Sequence, residues 1–266
     1  RNFDMGRLGC LLATVVLSLA SSLDASLIFD AADITVTSGE SLTLSCGVKQ
    51  DFHLCFWDHE DRRSFQVDNV HSGVHPGMRA PEDLTDNQCG IVIDSVSVED
   101  SGAWTCRVFL TGRGGELRNS KTVAACHDSF VSLGGGCFHF NEDLWLDWYD
   151  ARFYCQNLGT SEFTSDLASV DDCDQLTAIR NHIVSEYGPL WHWLGGTDAA
   201  QEDNWYWVTG GSVPRDLPFW YPDHPYNNEE RNCLYMEKYS GYFWDNDCEE
   251  AGPFICEEFP VPLLHK

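Results

Sequence analysis

Twelve cysteines in a chain of 266 residues limit what this polypeptide can become more than any other feature. Cystines persist outside the reducing cytosol, so such a density fits a fold completed in an oxidising compartment. The N-terminal stretch agrees. From Met5 it reads MGRLGCLLATVVLSLASSLDA, with Arg7, an apolar run from Leu8 to Ala20 and then small residues. That pattern is an export signal over residues 5–25, with cleavage between Ala20 and Ala25. The apolar run is too short to span a bilayer comfortably, and nothing later is long and apolar enough. A secreted, extracellular product with no membrane span is therefore expected. Cys10 leaves with the signal, which makes the remaining cysteine count odd. One thiol is then free or pairs between chains. No C-x-x-C pair occurs, so zinc-ribbon and thioredoxin-type readings have no support.

Lysine and arginine together number 16 against 42 acidic residues, a net charge of −26. That charge repels phosphate backbones and anionic headgroups, which argues against nucleic acid as a partner. It is compatible with a cation such as calcium, and equally with a merely solvated acidic surface.

Residues 27–125 show short alternating apolar runs split by turn residues, the signature of antiparallel β-structure. SLTLSC ends at Cys46, CFW carries Trp57, and IVIDSVSVEDSGAWTC ends at Cys106. Together Cys46, Trp57, Asp100, Gly102, Trp104 and Cys106 resemble an immunoglobulin-like domain, with Trp104 where that family usually has tyrosine. The resemblance implies an all-β sandwich bridged by Cys46–Cys106, with Trp57 packed on the bridge. Alternation aims Cys55 at the same interior as Trp57, and Cys89 at the same interior as Ile91 and Ile93. A second bridge, Cys55–Cys89, is expected on that parity. The basic residues Arg107, Arg113, Arg118 and Lys121 read as a salt-bridged sandwich edge or as a partner surface.

From Cys126 the periodicity changes. Trp148, Ala151, Cys155 and Leu158 fall at helical spacing behind Asp147, a suitable N-cap. Leu176, Ile179 and Ile183 repeat the pattern, with Ser169 or an early aspartate as cap and Gly188 as terminator. Then follow WLGG, NWYWVTGG, NCLYM and DNDCEEAGPFICE. Over residues 126–258 this order resembles the C-type lectin-like domain, an α+β fold, with residues 259–266 as a tail. The resemblance implies bridges Cys126–Cys137, Cys155–Cys256 and Cys233–Cys248. Cys173 is left over, as a capped or free thiol or as the link of a covalent homodimer. A signal, an immunoglobulin-like module and a lectin-like module in series are similar to soluble innate-immune lectins of invertebrates.

Calcium-dependent members of that family hold sugar through a Glu/Gln-Pro-Asn/Asp triplet, a later glutamate and a Trp-Asn-Asp triplet. A hard cation wants six to eight oxygens, and sugar hydroxyls complete the shell. Here the first triplet maps onto His224, Pro225 and Tyr226, and the glutamate position falls on Arg231 unless Glu229 or Glu230 slides into it. The last triplet maps onto Trp244 and Asp245, or onto Asp245 and Asn246, depending on whether one counts from Cys248 or from the tryptophan. An arginine charge ~4 Å from a divalent ion costs roughly 8 kcal/mol at an effective dielectric near 20. If Arg231 points inward it expels the ion. If it points out, Glu230, Asp245, Asn246 and Asn227 remain as a non-standard shell. The sugar-linked calcium site is therefore expected to be lost or redesigned.

An auxiliary calcium site is better kept. Asp198 and Glu202 match two carboxylates the family uses there, while Asn227 and Asn232 stand where acids are usual, so Asp198, Glu202, Asn227, Asn232 and Asp245 form the candidate metal set. Solvated acids on a long loop are the alternative. Without calcium, exposed aromatic faces such as Tyr221 and Tyr226 could stack on a sugar ring while Asn227 and Asn228 bond its hydroxyls. The candidate ligand set is thus Tyr221, His224, Tyr226, Asn227, Asn228, Glu230, Asp245 and Asn246. Two functions follow: a secreted lectin for glycans or microbial surface polysaccharide, or a calcium-independent protein-binding module on the same scaffold. No G-x-S-x-G, H-E-x-x-H or P-loop pattern supports an enzyme.

Overall fold

The computed structural model describes residues 27–260 apart from 30–32, 62, 68–76, 83, 85–86, 113–114, 214, 216–218 and 227. The expected signal, Arg113, Asn227 and residues 261–266 lie outside the described residues. The chain divides into two compact units between Ser132 and Leu133. That division falls a few residues after the 125/126 boundary suggested by sequence, within the short strand β10, Val131–Leu133.

The N-terminal unit is a two-sheet β-structure. One sheet runs β1 (Ile28–Phe29), β3 (Leu42–Gly47), β7 (Gln88–Ile93), β6 (Met78–Arg79); the other runs β2 (Ile34–Thr37), β9 (Glu116–Cys126), β8 (Gly102–Leu110), β4 (Phe52–His59), β5 (Ser64–Gln66). Among the described strands of this unit, β2 and β9 alone pair in parallel. The period of two in the sequence becomes one inward row per strand: Leu42, Leu44 and Cys46 on β3, Cys55 and Trp57 on β4, Trp104, Cys106, Val108 and Leu110 on β8. Cys46 is bonded to Cys106 and Cys55 to Cys89, so two cystines tie one sheet to the other. Each such crosslink is worth ~2–4 kcal/mol by restricting the unfolded chain. Trp104 is wholly buried because its one polar atom is satisfied, Nε1 donating to the Asp100 carbonyl at 2.8 Å. Of the basic residues singled out in this half, Arg107 pairs with Asp58 and Arg118 with Glu116.

The C-terminal unit is α+β. Helix α1 (Trp148–Leu158) starts where the Asp147 carboxylate accepts from the Asp150 amide, and α2 (Cys173–Glu186) where Asp172 accepts from Gln175. Asp172 is thus the cap that sequence alone left open. One sheet is built from β11 (Gly136–Leu146), β17 (Gly252–Pro260), β13 (His192–Thr197), β15 (Cys233–Met236) and β16 (Phe243–Asn246), with β12 (Phe163–Leu167) on β17 and β14 (Tyr206–Trp207) on β13. β17 continues to Pro260, opposite Phe163, so the first residues assigned to a tail belong to the sheet. Gly195 is required by close packing, since a Cβ there would stand 2.6 Å from the Leu167 carbonyl oxygen. Below the sheet Phe138, Ile179, Leu194, Trp205, Trp207, Phe219, Leu234 and Phe243 close one core.

Cys155–Cys256 ties α1 to β17, and Cys233–Cys248 ties the start of β15 to the loop after β16. Cys126, Cys137 and Cys173 are also disulfide-bonded. This corrects the reading of Cys173 as unpaired: no cysteine among the described residues is free.

Candidate functional site

Hairpin β15–β16 sets the register of the site: Leu234 stands opposite Asp245 and Tyr235 opposite Trp244. Against it lies the loop 219–232, whose His224–Pro225 peptide bond is cis. The Asp245 carboxylate is the hub. His224 Nδ1 donates to its Oδ1 at 2.6 Å and the Tyr226 amide donates to the same oxygen at 3.0 Å. Both side chains are almost wholly buried, 2% and 0% exposed. An imidazole thus occupies the carboxylate oxygen that a cation would otherwise share. Asn246 is turned elsewhere, its amide donating to Glu250. Asp245, which both ways of counting include, faces the loop.

Aromatic rings surround this pair. His224 stacks on Trp244 at 4.2 Å between centroids and lies 4.3 Å from the Tyr226 ring, while Tyr221 meets Trp244 at 4.8 Å. Tyr221 and Tyr226 remain 40% and 45% exposed, so the cluster ends in two solvent-facing phenols. The Arg231 guanidinium lies over the Tyr226 ring, 5.3 Å from its centre, and does not bond Asp245. Arg231 and Trp244 complete the face although sequence reasoning weighed Arg231 only as a charge hostile to calcium. The spacing of Tyr226 and Arg231 was the signal available. Asn228 and Glu230 are exposed, and the Asn228 side-chain oxygen accepts the Glu230 amide at 3.0 Å.

A second cluster is carboxylic. Asp198 is 1% exposed; its Oδ2 accepts the Asp203 amide at 2.9 Å and its Oδ1 has no partner. Glu202 Oε1 and Asp245 Oδ2 are likewise buried without a partner. Burial pushes the Asp198 carboxyl up to about 6, the Glu202 and Asp245 charges adding to the rise and the Asp203 amide opposing it. Asn232 fixes the cluster from behind: its carbonyl accepts Thr197 Oγ1 at 2.7 Å and the Asp198 amide at 3.2 Å.

Two different answers follow for calcium. Orphaned buried carboxylate oxygens are what a hard cation takes as ligands, so Asp198, Glu202 and Asp245 Oδ2 fit an ion. They are not drawn together as a finished shell, since no trio among them lies within 4.8 Å. At the sugar-linked position the residues do not fit: His224 and Tyr226 offer no carboxylate or amide oxygen, Arg231 is cationic, and Asp245 Oδ1 is already shared by two donors. Calcium should accordingly raise the melting temperature of the C-terminal unit. The double substitution Asp198→Asn with Glu202→Gln should abolish that rise, as differential scanning calorimetry would show.

The family profile described as Lectin C-type domain matches residues 146–258, the segment that carries both clusters. Residues 146–258 are a C-type lectin domain. Among its relatives, human C-type lectin domain family 17, member A is 32% identical over 133 residues, covering 50% of this chain and 32% of that protein. Human lithostathine-1-alpha is 23% identical over 158 residues, covering 58% of this chain and 92% of that protein. The chain thus spans about a third of the first relative's length. Among solved structures, the C-type lectin CEL-I from Cucumaria echinata is 20% identical at a TM-score of 0.47, over 51% of this chain and 99% of that one. The Ig1 domain of mouse SynCAM 2 is 16% identical at a TM-score of 0.32, over 38% of this chain and 96% of that one. No helix among the described residues is long and apolar enough to cross a membrane.

Proposed function

We propose that this protein is a secreted lectin that binds glycans or microbial surface polysaccharide in innate immune recognition. Its N-terminal unit serves as an immunoglobulin-like module, and its C-terminal C-type lectin domain carries the binding face. The observation that supports this reading is the His224–Asp245 pair under an exposed aromatic surface. Sugar is held without a bridging cation, by stacking of a pyranose face on Tyr226 and Tyr221 and by hydrogen bonds from Asn228 and its neighbours. Calcium, when bound, sits at Asp198, Glu202 and Asp245 and stiffens the loop without touching sugar.

Aromatic stacking is worth about 1 kcal/mol, roughly a five-fold change in affinity. Tyr226→Ala should lower retention on mannose, galactose or bacterial polysaccharide resins by that factor, with the melting temperature unchanged. Retention of the wild-type chain on none of these resins would defeat the proposal and leave the protein-binding module as the surviving reading.

A further inference from the structure

Among the described residues, the arginines other than Arg231 are spoken for. Among the eight described arginines, Arg63, Arg79, Arg107, Arg118, Arg152 and Arg215 each pair with a carboxylate, and Arg180 donates to the Tyr239 carbonyl. The Arg231 guanidinium alone has no hydrogen bond or ion pair to any described residue; its contact is the Tyr226 ring. The backbone holds it in place, the Arg231 amide donating to the Asn228 carbonyl at 2.9 Å. A half-buried guanidinium over an exposed phenol ring, with its N–H fork unused, is built to receive a planar anion.

Resting on the glycan-binding reading above, we infer that Arg231 and Tyr226 together select a terminal sugar bearing a single carboxylate. The guanidinium takes the carboxylate through paired N–H donors, and the Tyr226 and Tyr221 rings take the apolar face of the pyranose. The surroundings limit the anion to one. Glu229 and Glu230 are exposed beside Arg231, and the whole chain carries −26, so a polyanion meets repulsion at every further charge. One carboxylate seated on Arg231 escapes most of it, because charges beyond ~8 Å are screened at physiological ionic strength.

The test is a paired calorimetric titration of the full chain. Probes are a sialic-acid-terminated lactose, the same sugar with its carboxylate reduced to the alcohol, lactose itself, and heparin as the polyanion. The wild type should prefer the acid over its reduced form about ten-fold, the size of one charge-assisted hydrogen-bond pair. Arg231→Gln should bring that ratio to about one and Arg231→Lys should leave part of it, because the charge stays and the planar fork goes. Equal binding of acid and reduced sugar by the wild type, an unchanged ratio in Arg231→Gln, or heparin binding tighter than the single acid would each overturn the inference. In those cases neutral-sugar binding still stands; binding of no sugar at all would remove glycan recognition and this inference with it.

Discussion

Replacing Glu257 by glutamine should stabilise the C-terminal unit by several kcal/mol at pH 8 and above, with about 5 kcal/mol as the ceiling, and by almost nothing at pH 4.5. Glu257 lies on β17 and is 8% exposed, with one Ser169 amide donating to its Oε2 at 3.0 Å. Burial pushes its carboxyl up to about 8, the Ser169 amide opposes the rise and the Asp171 charge adds to it. The sign follows from proton counting. Between the ordinary value of 4.5 and about 8 the folded chain keeps a proton that the unfolded chain has released. Stability therefore falls as pH rises through that window and levels off above it. Glutamine keeps an oxygen for the Ser169 amide and carries no proton to lose, so the slope should vanish. Urea unfolding of both proteins from pH 4.5 to 9 checks it; parallel curves for the two would refute a buried, proton-retaining Glu257.

Removing both Cys155 and Cys256, as alanines, should cost the same unit about 4–5 kcal/mol and lower its melting temperature by roughly 15–20 °C. The bridge spans 101 residues of sequence, and both cysteines are fully buried where α1 meets β17. Closing so long a loop removes more freedom from the unfolded chain than the Cys46–Cys106 bridge, which spans 60 residues. The transition of the N-terminal unit, locked by its own two cystines, should stay in place. Calorimetry of the full chain would resolve the two transitions. A drop shared equally by both would mean that the units do not melt as separate bodies.

Period and cysteine parity carried much of the fold in plain sight. Alternation aimed Cys55 and Cys89 at one interior, and helical spacing behind Asp147 marked α1, because both patterns are local consequences of which side chains must leave water. The loop 219–232 was legible only in part. It has no period, and its geometry is set by long-range hydrogen bonds: nothing in HPY announces that His224 Nδ1 reaches Asp245, 21 residues on. Nor does the sequence announce that the Arg231 guanidinium lies over the Tyr226 ring. Two candidates placed by spacing have other employment, Asn246 on Glu250 and Asn232 bonding the Glu229 carbonyl through its amide. Cys173 shows the limit of cysteine arithmetic, since a count gives parity but not partners.

The account turns on Asp245 being held by His224 instead of by a cation that also grips sugar. The measurement that meets this most directly is retention of the full chain on a polysaccharide resin it binds, in calcium and again after chelation with a calcium-specific chelator. The account predicts equal retention in both, together with a lower melting temperature after chelation. Retention lost on chelation and restored by calcium would contradict it.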